Sequence, residues 1–433
     1  MFLFLYNLRS ILAVLYSAQY WLHKLIMQDF DDIRPYNDSE LKPTISNLLA
    51  NSEFIGLITR YRFPIASRIL VGPFSSILKM IVERRIRGRF GDIRRISEMQ
   101  NAVEAYMDLM LARTSDGFSV SGLEHLQADK PHLFLSNHRD ITLDPAFTNL
   151  ALHRNGRNTV RIAIGDNLLS KPWASDLMRL NKSFIVKRSI TKPRELLKAL
   201  VKLSHYIKHS LDNDGENVWL AHREGRAKDG VDKTDLAVLK MIFLAKPKDK
   251  AFSVYLNELS IVPISIAYEF DPCIAMKAKE LRVMQSGKEY RKSEHEDLDS
   301  IGQGIAGYKG RIHLAFSPSI TQSQEVAETE GLENIASIDQ LEVRLDQDII
   351  KAFRLFPSNL IAYEKIYGSQ QLEVALKELQ EIGLLDAGLI EESASADYRE
   401  KFEGHINLID SRDREIALQS YANAVVSKLS LKT

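Results

Sequence analysis

Apolar residues follow two different rhythms along this chain, and the change between them marks its organisation. From 38 to 60, positions such as Leu48, Leu49, Ile55 and Leu57 recur at helical spacing behind Asp38 or Ser39 as a cap, and residues 64–86 continue in the same style. Ile96 to Ala112 predicts another helix. Short apolar runs then predict strands at 117–120, 132–136, 160–164, 183–186, 217–221, 261–267 and 311–316. Helical stretches at 145–154, 170–180, 193–211 and 233–247 separate most of them. Strands alternating with helices imply an α/β fold built on a mostly parallel, helix-flanked sheet. Pro263 lacks an N–H and predicts an edge position or a strand start for the sixth strand. Residues 275–310 show no clear period and read as a long excursion. From 321 the chain is acidic and helical, with striped helices at 372–384 and 416–429. The expected divisions are an apolar segment 1–26, a helical region 27–99 with a basic face, a sheet domain 100–320 and a C-terminal helical region 321–433.

The first 26 residues are mostly apolar but are interrupted by Asn7, Arg9 and Gln19. A spanning helix wants about 20 apolar residues in succession. A membrane anchor, an interfacial amphipathic helix and an upstream extension before a start at Met27 all stay open. Residues 84–95 carry Arg84, Arg85, Arg87, Arg89, Arg94 and Arg95 against Asp92 alone, with Ile86, Phe90 and Ile93 among them. They read as a solvated helix face or as a contact for anionic lipid head groups. Basic and acidic residues balance at 57 each, which argues against a dedicated nucleic-acid binder. Cys273 is the sole cysteine, so an internal disulfide and a CxxC zinc site are excluded, and a reducing compartment fits.

The chemistry concentrates where the second strand ends. The apolar run Leu133-Phe134-Leu135 leads through Ser136-Asn137 to His138, with Asp140 and Asp144 close behind and Pro145 opening a helix. Strand ends in α/β sheets are where sites are built. A histidine oriented by a carboxylate is the minimal group that takes a proton from a hydroxyl. Spacing alone leaves Asp144 and Asp140 both open as partner, and Asp144 before a proline also reads as a helix cap. A second block, His222 to Gly230, follows a strand and carries Glu224, Gly225 and Arg226. A glycine there admits close backbone approach, and an arginine offers a fork to phosphate oxygens. The remaining blocks are Ser183 to Arg188, a strand ending in Lys187 and Arg188, and Val262-Pro263. The histidines are not spaced for a zinc site, so no metal is expected.

The order of these four blocks resembles the glycerolipid acyltransferase family, which includes glycerol-3-phosphate and lysophosphatidic acid acyltransferases. The family's Asn-His matches at Asn137-His138. Its aspartate stands five residues after the histidine, one short of Asp144 and three past Asp140. Phe184-Ile185 fits the second motif, with Lys187 at the arginine position and Arg188 one residue late. Glu224-Gly225 fits the third, with Arg226 one residue early, and Val262-Pro263 fits the fourth. The resemblance covers about residues 100 to 320.

It implies transfer of an acyl group from acyl-CoA or acyl-ACP to a hydroxyl of a phosphate-bearing glycerol or lysophospholipid, with no other cofactor. His138 would act as general base held by Asp144 or Asp140. Lys187, Arg188 and Arg226 would hold the phosphate, while Asn137, Glu224, Gly225 and Pro263 would shape the site. The partners implied are membrane lipids, met on the cytoplasmic face. The rival expectations are a lipid or thioester hydrolase and a catalytically inactive membrane-binding module. A serine hydrolase is disfavoured by the lack of a G-x-S-x-G elbow.

Overall fold

A computed structural model of the 433-residue chain describes residues 30–63, 73–91, 93–169, 171–293, 296–321 and 335–432, so the apolar segment 1–26 lies outside them. The described residues gather into two compact units. The larger comprises Ser97–Ile162 with Ile207–Thr433, and the smaller the residues up to Ile96 with Ala163–Tyr206.

Seven strands form the sheet: β1 Gly117–Ser121, β2 Leu133–Ser136, β3 Val160–Gly165, β4 Ser183–Val186, β5 Asn217–Ala221, β6 Ile261–Tyr268 and β7 Arg311–Phe316. Their order is β1-β7-β6-β2-β5-β3-β4. The pairs β1–β7, β6–β2, β2–β5 and β5–β3 are parallel, and β6–β7 is antiparallel. The fold is therefore the expected α/β one, with helical regions before and after the sheet strands among the described residues. β2 and β6 are buried along their whole length. That is why both read as continuous apolar runs rather than as alternation.

Pro263 occupies a central strand, not an edge. β6 offers the β2 side its even-numbered groups: Asn137 N–H bonds the Ile264 carbonyl. Pro263 therefore turns toward β7, whose paired register begins only at Ile264↔Phe316. Its carbonyl accepts from Ser317, and its missing donor falls where that ladder runs out.

One face of the sheet is closed by Leu143–Arg154 and Ile96–Thr114, whose Phe147, Leu150, Met107 and Met110 meet Phe134, Trp219, Ile264 and Ile266. Each such side chain contributes roughly 1.5–3 kcal/mol by burial. A separate core joins Ile274–Gln285 to the C-terminal helices through Phe270, Phe353, Leu360, Phe402 and Val425.

Several helices differ from expectation. The stretch 38–60 is two helices, Asp38–Ala50 and Ser52–Arg62, because the Asn51 side chain accepts from Glu53 and Phe54 and starts a new helix. The next helix is Pro73–Phe90. The supposed excursion 275–310 contains two helices, Ile274–Gln285 and Glu296–Ala306. Their period was hidden because the inward positions include Lys277, Glu280, Ser300 and Gly304 rather than large apolar residues. Ile86, Phe90 and Ile93 pack inward against the core of the smaller unit. Among the described side chains of Pro73–Phe90, the exposed apolar ones are Ile77, Met80 and Ile81 instead.

Candidate active site

β2 stops at Ser136, but the sheet does not. The Asn137 side chain takes over from the backbone: its amide oxygen accepts from Ile266 N–H at 2.8 Å and its amide nitrogen donates to the Ile266 carbonyl at 3.0 Å. The main chain is thereby free to turn, and it presents His138 at the carboxyl end of the strand. The ring is only partly exposed and lies edge-on to Trp219, with centroids 6.4 Å apart.

The carboxylate on the ring is that of Asp144. Its Oδ2 lies 3.1 Å from His138 Nδ1 and also accepts from the backbone N–H groups of Arg139 at 2.7 Å and Asp140 at 2.9 Å. Its Oδ1 accepts from the Tyr268 hydroxyl at 3.0 Å. An oxygen already receiving two N–H bonds is an acceptor toward the ring, so Nδ1 carries the proton and Nε2 presents its lone pair. The side chain of Asp144 is fully buried. Burial first, then the nearby Asp144 and Asp140, pushes the Tyr268 phenol well above its ordinary 10, so it remains a donor.

The helix after the loop runs from Leu143, two residues earlier than expected, and Asp144 does not cap it. Asp140 takes that role, with Oδ1 accepting from Thr142 and Leu143 N–H. Its carboxyl is pushed up by burial and then by Asp144, while Arg226 pulls it down. Gly304 of the Glu296–Ala306 helix lies against this carboxylate.

The second loop is tied to the first. Ala227 N–H bonds the His138 carbonyl at 2.7 Å. Arg226 is half-buried and donates to Ser300 Oγ at 2.5 Å. Glu224 and Gly225 are exposed at the tip, Gly225 with φ +74°. Asn137, His138, Asp140, Asp144 and Arg226 are thus brought together. Pro263 is buried in β6 opposite Leu135. Lys187 and Arg188 belong to the smaller unit, where Lys187 pairs with Asp32 and the Arg188 backbone N–H bonds Asp166 at 2.9 Å. Among the described residues no cluster of side chains suited to a metal is present.

Sequence reasoning missed Tyr268, Arg139, Asp232 and Lys277. Tyr268 was recoverable, since it shares a face with Ile264 and Ile266 once β6 is placed beside β2. Lys277 is fully buried and donates to the Arg139 carbonyl at 2.7 Å and to Asp271 at 2.5 Å. Its helix had no apolar period to reveal it.

His222 follows β5 in full burial, its Nδ1 3.1 Å from Thr234 Oγ1, and burial pushes it from 6.5 down to about 4. The unfolded chain therefore binds a proton between pH 6.5 and 4 that the folded one refuses. Stability is fully present above 6.5 and drains as pH falls toward 4, by about 3 kcal/mol. Urea unfolding at pH 7.5 and 4.5 should show a loss that is smaller by about 2–3 kcal/mol in His222→Gln. Equal losses in the two proteins would refute the assignment.

Residues 117–267 match the family model described as Acyltransferase. No curated protein matches the chain. Among solved structures it is similar to the 1-acyl-sn-glycerophosphate (LPA) acyltransferase PlsC from Thermotoga maritima. That likeness is slight, at 13% identity and a TM-score of 0.35 over 68% of this chain and 92% of that one, and nothing further rests on it. The four ordered blocks, from Asn137 to Pro263, all fall inside the matched span, so the part of the chain that carries His138 and Asp144 is similar to the Acyltransferase family.

Proposed function

We propose that the chain moves an acyl group from acyl-CoA or acyl-ACP to a hydroxyl of a phosphate-bearing glycerol or lysophospholipid. The observation that carries this reading is the buried Asp144 carboxylate on His138 Nδ1 at a strand end, within an acyltransferase-family domain. His138 Nε2 takes the acceptor's hydroxyl proton as its oxygen attacks the thioester carbonyl. The new C–O bond forms, the C–S bond breaks, and the thiolate leaves with the proton from the imidazolium. No acyl-enzyme is required. Holding both substrates in line with one base supplies several kcal/mol of the barrier reduction.

Arg226 is the cation best supported as a phosphate ligand, since its loop holds the His138 carbonyl through Ala227. Glu224 and Gly225 shape the loop in this reading. Arg226→Ala is expected to raise KM for a phosphorylated acceptor by roughly 10- to 100-fold, the equivalent of one charged hydrogen bond, with KM for the thioester little changed. Steady-state kinetics with each substrate varied checks this, and an unchanged acceptor KM would sink it.

The decisive assay gives the purified protein acyl-CoA or acyl-ACP with glycerol 3-phosphate or lysophosphatidate and separates the products. Ester formation that depends on the acceptor supports the reading. Free fatty acid with no ester would instead identify a hydrolase, and no turnover with any pair an inactive module.

The substrates' chemistry supports a membrane-surface location on the cytoplasmic side. Ile77, Met80 and Ile81 are exposed at i, i+3 and i+4 of Pro73–Phe90, followed by exposed Arg84, Arg85 and Arg87. No helix among the described residues is long and apolar enough to cross a membrane. Replacing the three arginines by alanine should weaken binding to anionic vesicles by about 3 kcal/mol, read by cosedimentation, and leave binding to zwitterionic vesicles unaffected.

A further inference from the structure

The residues on either side of His138 converge on one buried carboxylate. Asp232 Oδ2 accepts from the Asn137 side-chain amide at 3.0 Å and from the Arg139 guanidinium at 2.5 Å. The Asp232 side chain is 4% exposed. Arg139 also donates to the Gly230 carbonyl at 3.2 Å, and its guanidinium lies 4.9 Å from the centre of the Phe353 ring. Asp232 is thus out of water, Arg139 nearly so at 12% exposed, and both hold fixed directions. Asn137 is meanwhile locked to Ile266 on the other side. One anion therefore fixes both shoulders of the histidine, and it belongs to the stretch that follows the Glu-Gly-Arg loop.

We propose that Asp232 is a positioning residue for acyl transfer. It holds Asn137 and Arg139 so that the His138 ring keeps its bond to Asp144 while Nε2 faces the acceptor. The proposal rests on the reading of His138 as the base. Asp232 touches no reacting atom. Its effect is on orientation, and a base displaced by a fraction of an ångström loses the in-line geometry on which rate depends.

The test compares Asp232→Asn, Asp232→Glu and His138→Ala in the purified full chain. Asp232→Asn keeps the shape but gives up the charge that gathers the two shoulders. Its kcat should fall on the order of 10- to 100-fold, with KM for donor and acceptor within about threefold. Asp232→Glu, which keeps the charge, should recover part of the rate. Nitrogen-15 spectra of the histidine side chains give a readout independent of turnover. The signal missing in His138→Ala should change from a fixed Nδ1–H tautomer to an averaged one in Asp232→Asn.

If Asp232→Asn fails to fold, Arg139→Gln severs the same contact from the other side and takes its place. A folded variant with unchanged kcat and an unchanged His138 tautomer, differing only in Tm, overturns the proposal and leaves the catalytic reading standing. Turnover that survives in His138→Ala overturns both.

Discussion

Asp144→Ala is expected to lower kcat by about 10³- to 10⁴-fold, whereas Asp144→Asn should lose only on the order of 10²-fold. The difference follows from which oxygen does what. Three donors meet on Oδ2: His138 Nδ1 and the backbone N–H groups of Arg139 and Asp140. The two backbone donors cannot turn away, so an asparagine must place its amide oxygen there and its NH2 toward the Tyr268 hydroxyl, whose oxygen can accept. The ring then keeps its Nδ1–H tautomer and loses only the negative charge that steadies the imidazolium. Alanine removes the acceptor for all of these donors and lets the ring turn. Single-turnover kinetics with saturating donor checks both variants. Equal losses for the two would show that backbone orientation of the side chain is irrelevant and would sink this account of the dyad.

Gly230→Ala is expected to destabilise the protein by about 2–5 kcal/mol, far more than Gly225→Ala on the neighbouring turn. Both glycines have positive φ, +77° and +74°. Alanine at either position therefore meets a backbone strain of roughly 1–2 kcal/mol. At 225 a Cβ would find nothing within 4 Å, so strain is the whole effect. At 230 it would stand 1.9 Å from the Ser420 carbonyl oxygen, a backbone atom of the Arg414–Leu429 helix. That helix also holds the loop through Ser420 Oγ to the Lys228 carbonyl and Asn423 to the Asp229 carbonyl. The loop must leave the helix or strain must spread, and the Arg139 anchor at the Gly230 carbonyl moves with it. Denaturant unfolding of the two variants gives the comparison, and similar losses would contradict the close approach.

Much of this was legible in the sequence, for identifiable reasons. The strands announced themselves because a sheet covered on both faces demands unbroken apolar runs, as in Leu133-Phe134-Leu135. The histidine was found because it ends such a run. The choice of carboxylate was not legible. Asp140 and Asp144 differ in role through hydrogen bonds to Thr142 and Leu143 in one case and to His138, Arg139 and Asp140 in the other, and spacing carries no trace of that. The helices at Ile274–Gln285 and Glu296–Ala306 were missed because their inward faces carry Lys277, Ser300 and Gly304, residues whose burial depends on partners far away in the chain. Pro263 misled for a related reason: a missing donor matters only on the side where a neighbour asks for it, and β7 has by then run out.

Asn137 has one further implication. A side-chain amide stands in for a peptide group, so the final rung between β2 and β6 is completed without committing the main chain to the sheet. At the other end, Asp144 reaches back from the first helical turn to gather two successive peptide N–H groups. The segment between is pinned at both termini, and Asp140 braces its middle by accepting from the Thr142 and Leu143 N–H groups. Two carboxylates, those of Asp140 and Asp144, therefore set the length of the arc that carries the histidine, and a residue inserted between Ile141 and Thr142 would cost one of their bonds.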